Sequence, residues 1–357
     1  MKAARMFSCC RARSFSAARL LTSAMSAFLM LLVLVACGDR CSALAESQAI
    51  TAEGVKTVEF YGYRSAIEIR NPRHRVVLCP EVGGRILEYS VDEKNILMIS
   101  EAEKNWEPGD PAPNSAGRFD IGPELVVPPR DVHWTQSWSP KVVGPRSVEL
   151  TSQDCPSTGV RLVRTFTLDV VSSRLLCTQK IVNVSDQPKE YCHWSRTFVV
   201  GQGICLIPLT EPSRFPSSYV LYEDHTVINM KPEDPKIRRR GDVLEITGAP
   251  RKPKLGFDSS AGVIAYIAPN DLLFVKRFHV DQNRVYNEAA GLTISVWYPD
   301  REMVELEPIG PREHLEPGKA ADFTEEWWLE PMEFPTDPNA IHHEELKKRI
   351  QQLKTKD

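Results

Sequence analysis

Tyr191-Cys192-His193-Trp194-Ser195-Arg196-Thr197-Phe198 decides how this chain is read. Aromatic and β-branched residues fill it, Asp186 and Pro188 stand just upstream, and the composition is that of a strand. A strand alternates its side chains, so His193, Ser195 and Thr197 share one face while Trp194, Arg196 and Phe198 share the other. Gly201-Gln202-Gly203 is read as a turn into a second strand, Ile204 to Leu209, which makes the pair a hairpin. A histidine on such a strand is either a satisfied core residue or half of a working pair. The rest of the chain is searched for the other half.

Outward from this stretch, short segments rich in β-formers recur, separated by Gly, Pro, Asn and Asp. Strands are expected over 57–61, 66–70, 75–79 and 85–91, then over 141–151, 160–168 and 175–184. Later ones are expected over 243–247, 262–267, 272–280, 292–298, 303–307 and 320–329. The proline-rich stretch 101–131 reads as a long irregular loop of the kind that carries function, and 211–234 reads as loop. Lys236 to Arg240 reads as a solvated basic turn. Only the tail has helical spacing, with Ile341, Leu346, Ile350 and Leu353 on one side. His342-His343-Glu344-Glu345 lacks the spacing that sets two imidazoles on one helix face, so no metal site is expected there. Many short strands and one helix predict an all-β fold, a large antiparallel β-sandwich with a short C-terminal helix.

The first 45 residues read as an export leader. Lys2, Arg5, Arg11, Arg13 and Arg19 precede an uncharged run from Leu20 to Gly38, and Ala43-Leu44-Ala45 suits cleavage before Glu46. Two other readings fit: a lipoprotein box with Cys37 as the anchored residue, and an uncleaved anchor of near-minimal length. All three send the remainder out of the cytoplasm, secreted or periplasmic, with no integral membrane domain once the leader is gone. The domain plan is thus 1–45 leader, 46–335 sandwich and 336–357 helical tail. Without the leader's six basic residues and one acidic residue, 38 basic side chains face 46 acidic ones, a net charge of −8. That balance argues against nucleic-acid and anionic-membrane partners. Five cysteines remain, Cys79, Cys155, Cys177, Cys192 and Cys205, with no C-x-x-C spacing. They are expected to be small buried hydrophobes, with one bond between Cys192 and Cys205 an option in an oxidising compartment.

No nucleophile elbow, phosphate loop, dinucleotide fingerprint or zinc-protease motif occurs. What remains is a set of polar residues at strand ends. His193 is a candidate general acid. Glu305 and Glu307 share a face of one strand, and Glu307 stands where Pro308 and Gly310 end it. Arg85, Arg118, Asp120, Glu124, His133, Trp134, Arg196 and Lys276 form a further group. Rings beside carboxylates and guanidinium groups suit a saccharide ligand, since rings stack on C–H faces and charged groups grip hydroxyls.

The order of these segments resembles the aldose 1-epimerase, or galactose mutarotase, superfamily, and within it a bacterial group of unassigned function. The likeness spans roughly residues 56 to 330. It rests on Gly83-Gly84-Arg85-Ile86, Gly122-Pro123-Glu124, Cys192 to Arg196, Leu273 to Phe278, Val304 to Pro308, Leu315-Glu316-Pro317-Gly318 and Glu325 to Leu329. The resemblance implies a large β-sandwich that exchanges sugar anomers without metal or cofactor. It implies His193 as the acid on the ring oxygen and Glu307 as the base on the anomeric hydroxyl. Arg85, Glu124, His133, Trp134, Arg196 and Lys276 would then hold the substrate. The sequence departs from the family's pattern at three places: Trp-Ser-Arg follows His193, Pro-Ile-Gly follows Glu307, and no glycine follows His133. Glycan binding without turnover and action on an acidic sugar therefore stand beside epimerisation. A non-catalytic interaction module and a lyase acting on uronic sugars are the remaining alternatives. The acid–base reading requires the tips of His193 and Glu307 to face one cavity.

Overall fold

The computed structural model describes residues 51–224, 226–299, 302–337 and 341–353. Their strands form two antiparallel sheets. The fourteen-stranded sheet runs, in spatial order, through Val55–Phe60, Tyr63–Arg70, His74–Cys79, Arg85–Val91, Gly117–Gly122, Lys189–Val200, Met303–Pro308, Ile294–Trp297, Lys254–Phe257 and Val220–Tyr222. The ten-stranded sheet runs through Ile237–Arg240, Val243–Ile246, Ile204–Pro208, Val263–Ala268, Leu272–Phe278, Ala320–Pro331, Leu175–Asn183, Val160–Leu168, Ser147–Thr151 and Ser139–Gly144. The expected antiparallel sandwich with a short C-terminal helix is the fold observed.

Alternation explains where the core sits. Along Val160–Leu168 and Leu175–Asn183 every second residue is buried, the pattern of strands with one face on a core and one facing out. Lys189–Val200 differs: Tyr191 to Ser195 are all buried, so both faces are covered there. Its inner face looks into the space between the sheets, where Trp327 packs against Phe274 with ring centroids 5.4 Å apart. Its outer face is overlaid by loop residues: Arg130 reaches Asp120 of the neighbouring strand, and Glu288 accepts a hydrogen bond from the Glu124 N–H.

The interior also holds charge. Lys276 and Glu325 pair at 3.0 Å with no exposure at either side chain. Lys276 Nζ donates to Ser195 Oγ at 3.1 Å, Thr197 Oγ1 at 2.9 Å and the Leu306 carbonyl at 3.2 Å. Glu325 in turn accepts from Gln179 and from the Trp327 indole N–H. Each ion loses hydration worth several kcal/mol on burial, and only such a saturated set of partners offsets that loss.

Several segments depart from the sequence-based expectation. Gly201 to Gly203 does not close a hairpin: Lys189–Val200 lies in one sheet and Ile204–Pro208 in the other, so the turn carries the chain between layers. Cys192 and Cys205 are buried in different layers, and both are free, as are Cys79, Cys155 and Cys177. Within the stretch read as irregular loop, Gly117–Gly122 pairs with Lys189–Val200. Its two glycines and flanking prolines had hidden a strand that is buried along its whole length. Lys236 to Arg240 is no solvated turn, because Ile237–Arg240 is an edge strand whose Arg238 and Arg240 both pair with the buried Glu245.

The helix His343–Gln352 lies on the outer side of the ten-stranded sheet. Ile341, Leu346 and Leu353 pack there with Leu206, Ala265, Leu273 and Trp328, as the apolar spacing requires. His343 Nε2 meets Glu245 Oε1 at 2.5 Å. Among the described residues no group of three or more His, Cys, Asp or Glu is arranged to hold a metal ion, and no helix is long and apolar enough to cross a membrane. The leader readings, including Cys37, fall outside the described residues.

Candidate functional site

The outer face of the large sheet is built by register. Arg118 stands opposite Arg196 and Asp120 opposite Trp194. On the far side of Lys189–Val200, Glu305 stands opposite Phe198. Next along, Ser295 is opposite Glu307 and Trp297 opposite Glu305, and Lys254 is opposite Trp297. Side chains opposed in this way project to the same face, so five adjacent strands contribute one continuous polar and aromatic surface.

Arg196 is its hub. Its Nε donates to Glu305 Oε1 at 2.8 Å and lies 3.4 Å from Glu307 Oε1, while Nη1 reaches Asp120 Oδ2 at 3.5 Å. The Trp194 indole N–H donates to Glu307 Oε1 at 2.9 Å. Lys254 pairs with Glu124 and sits 5.2 Å from the centroids of both Trp194 and Tyr222, caged between the two rings. A hollow of about 420 Å³ opens beside it, lined by Glu124, Leu125, Tyr222, Lys254 and Trp297 among others.

The electrostatics follow from burial. Glu307 is buried, and that, with the charge of Glu305 beside it, pushes its carboxyl up to about 8 against the pull of Arg196 and Lys254. Burial likewise raises Glu288 to about 7. Burial works against the Asp120 carboxylate too, but the hydrogen bonds and charge of Arg130 outweigh it and its pKa is lowered. For Lys254 burial is outweighed by the acidic groups around it, and its pKa is raised. Tyr222 OH, Arg118 Nε and Trp134 Nε1 of this face are buried without a hydrogen-bond partner in the protein, as are polar atoms elsewhere in the fold, whereas Ser295 bonds to Glu307.

Of the residues expected from sequence, Glu307, Arg196, Glu124 and Trp134 meet on this face. Trp134 lies beneath the guanidinium groups of Arg130 and Arg118, at 4.9 and 5.3 Å. The other four lie elsewhere. His193 points between the sheets, stacked between Phe119 and Phe323 with centroids 5.8 and 5.7 Å away. Its Nε2–H donates to the Ala321 carbonyl at 3.1 Å, and burial lowers its pKa to about 4, so the ring is neutral. His193 and Glu307 therefore open onto opposite faces of one sheet, and the expected acid–base pair does not form. Lys276 is the interior cation described above and cannot reach a substrate. Arg85 is sealed beneath the loop 100–115, bidentate with buried Glu103 and bonded to Tyr63 Oη at 2.8 Å. His133 is buried with neither ring nitrogen bonded, and burial lowers its pKa to about 4.

Lys254, Tyr222, Glu288 and Arg130 were missed. The strands carrying the first two are three or four residues long and lie among prolines, so alternation had too few positions to register. Glu288 and Arg130 come from loops, where only the fold brings them in. A larger hollow of about 830 Å³ lies over the other end of the same sheet. Its carboxylates Glu68 and Glu88 are already taken up by Arg75, at 2.6 Å each, so it has the character of a satisfied surface.

Three solved structures share this sandwich fold, two of them named for aldose 1-epimerase or galactose mutarotase. A protein of Synechocystis matches with 16% identity and a TM-score of 0.54 over 77% of this chain and 99% of its own. A candidate aldose 1-epimerase of Escherichia coli matches with 11% identity and a TM-score of 0.54 over 75% and 99%. A galactose mutarotase-like protein of Lactobacillus casei matches with 11% identity and a TM-score of 0.53 over 74% and 100%. At such identities the likeness establishes the fold. No family model and no curated protein matches the chain.

Proposed function

We propose that the protein binds a saccharide on the outer face of the fourteen-stranded sheet, in the hollow lined by Glu124, Tyr222, Lys254 and Trp297, and does so without anomer exchange by a His193–Glu307 couple. The observation that carries this reading is that hollow of about 420 Å³, in which two aromatic rings stand beside a charged pair. Hydroxyl groups of a sugar meet Glu124, Lys254 and the unpartnered Tyr222 OH, and its C–H faces lie against the rings of Trp297 and Tyr222. Anomer exchange needs an acid and a base across one ring, and His193, on the far side of the sheet, supplies neither. The fold, shared with proteins named for epimerase and mutarotase activity, is consistent with a sugar ligand. The basic, apolar and Ala-x-Ala pattern of residues 1–45 supports action outside the cytoplasm.

A glycan-array screen of residues 46–357, followed by titration of each hit and polarimetry of its anomers, tests this. The expected result is a bound glycan whose affinity falls at least about tenfold in Trp297→Ala, with no anomer exchange above background. Absence of any bound glycan, or binding indifferent to Trp297→Ala, would overturn the proposal.

A further inference from the structure

Arg118 is the cation of this face that the protein leaves uncompensated. Arg130 pairs with Asp120, Arg196 with Glu305 and Asp120, and Lys254 with Glu124. Among the described residues no carboxylate pairs with Arg118. Its Nη2 is held by Asn114 Oδ1 at 2.7 Å and by the Pro113 carbonyl at 3.5 Å, and its Nε has no acceptor. Yet it is only 8% exposed. Burial, with the adjacent Arg196, lowers its pKa to about 10, which leaves it charged at neutral pH. An unpaired buried guanidinium costs several kcal/mol, and the nearby charges of Glu305 and Asp120 do not outweigh burial and the repulsion of Arg196.

A second unsatisfied donor stands beside it. The indole N–H of Trp134 is buried without an acceptor, and the ring of that residue lies against the Arg118 guanidinium. Two donors with no acceptor between them define a place for an anionic oxygen pair. A planar carboxylate presents two oxygens to such a pair of donors.

We propose that Arg118 and Trp134 receive the carboxylate of a uronic acid unit within an acidic oligosaccharide. This deepens the saccharide reading and depends on it. Strands lie about 4.8 Å apart, so the strand of Arg118 is roughly 10 Å from that of Glu307 and roughly 20 Å from that of Lys254. The acidic unit sits at the Arg118 end and its neighbour lies toward Glu307 and Lys254.

Titration calorimetry with oligosaccharides of galacturonate, glucuronate and mannuronate, their carboxyl-reduced neutral counterparts, and galactose 6-phosphate decides the matter. One uronate series is expected to bind about tenfold or more tightly than its reduced form, the worth of a charge-assisted hydrogen bond. Arg118→Gln is expected to abolish that preference, lowering affinity for the acidic form by more than for the reduced form. The same variant removes an unpaired buried cation, so its Tm should equal or exceed the parent's. Equal binding of acidic and reduced ligands, or a preference that survives Arg118→Gln, overturns this inference and leaves saccharide binding standing. An Arg118-dependent preference for the sugar phosphate overturns the carboxylate assignment. If no saccharide of either kind binds, both readings fail together.

Discussion

Replacing Glu307 with Gln should make the protein more stable at neutral and alkaline pH. The side chain keeps its shape and still offers an oxygen to the Trp194 indole N–H, now 2.9 Å away. What changes is the proton balance. Glu307 has its pKa pushed from 4.5 to about 8 by burial and by Glu305. Between those values the native state holds a proton that the unfolded chain has released, so stability falls as pH rises across the interval. At pH 7 the parent carries about 2.5 units of that penalty, on the order of 3 kcal/mol at 1.4 kcal/mol per unit. Glutamine carries none. Urea unfolding of parent and Glu307→Gln at pH 5, 6, 7 and 8 should therefore show nearly equal stability at pH 5 and a gap that widens toward pH 8. A gap that does not change with pH, or a variant less stable at pH 8, would refute the account of a buried carboxyl held protonated.

Three further outcomes follow from the same geometry. Lys276→Met strands Glu325 in the interior and should cost about 3–5 kcal/mol in urea unfolding, with Lys276→Met/Glu325→Gln recovering part of that loss. His193→Phe keeps the stack between Phe119 and Phe323 but leaves the Ala321 carbonyl without its donor. It should cost about 1–3 kcal/mol in Tm-derived stability while any glycan affinity stays at the parent value. Removal of residues 336–357 should lower the Tm and raise binding of a hydrophobic dye, because it bares the apolar outer face around Leu206, Leu273 and Trp328.

The sandwich was legible because its strands announce themselves: Val160–Leu168 alternates faithfully enough that nine residues suffice. The division of Lys189–Val200 into a His193 face and a Trp194 face was legible for the same reason, and it holds. Which face looks into the interior was not. Both are buried at Tyr191 to Ser195, and both carry polar groups, so composition does not separate a charged interior from a lined cleft. Lys276 shows the difficulty best. A lysine on a strand reads as a ligand contact, and only the facing Glu325, from a strand late in the chain, reveals it as an interior pair. Lys254 shows the converse, since two rings and one carboxylate from three separate segments give it its place.

Ala320–Pro331 occupies an inner position of the ten-stranded sheet, between Leu272–Phe278 and Leu175–Asn183, although it is the last strand among the described residues. During synthesis those two flanking strands exist for well over forty residues as raw edges with no neighbour to zip onto. The lysine of one awaits its glutamate for the same interval. Assembly of this layer thus waits until Ala320–Pro331 has been made, and truncation near residue 320 would split the sheet in two.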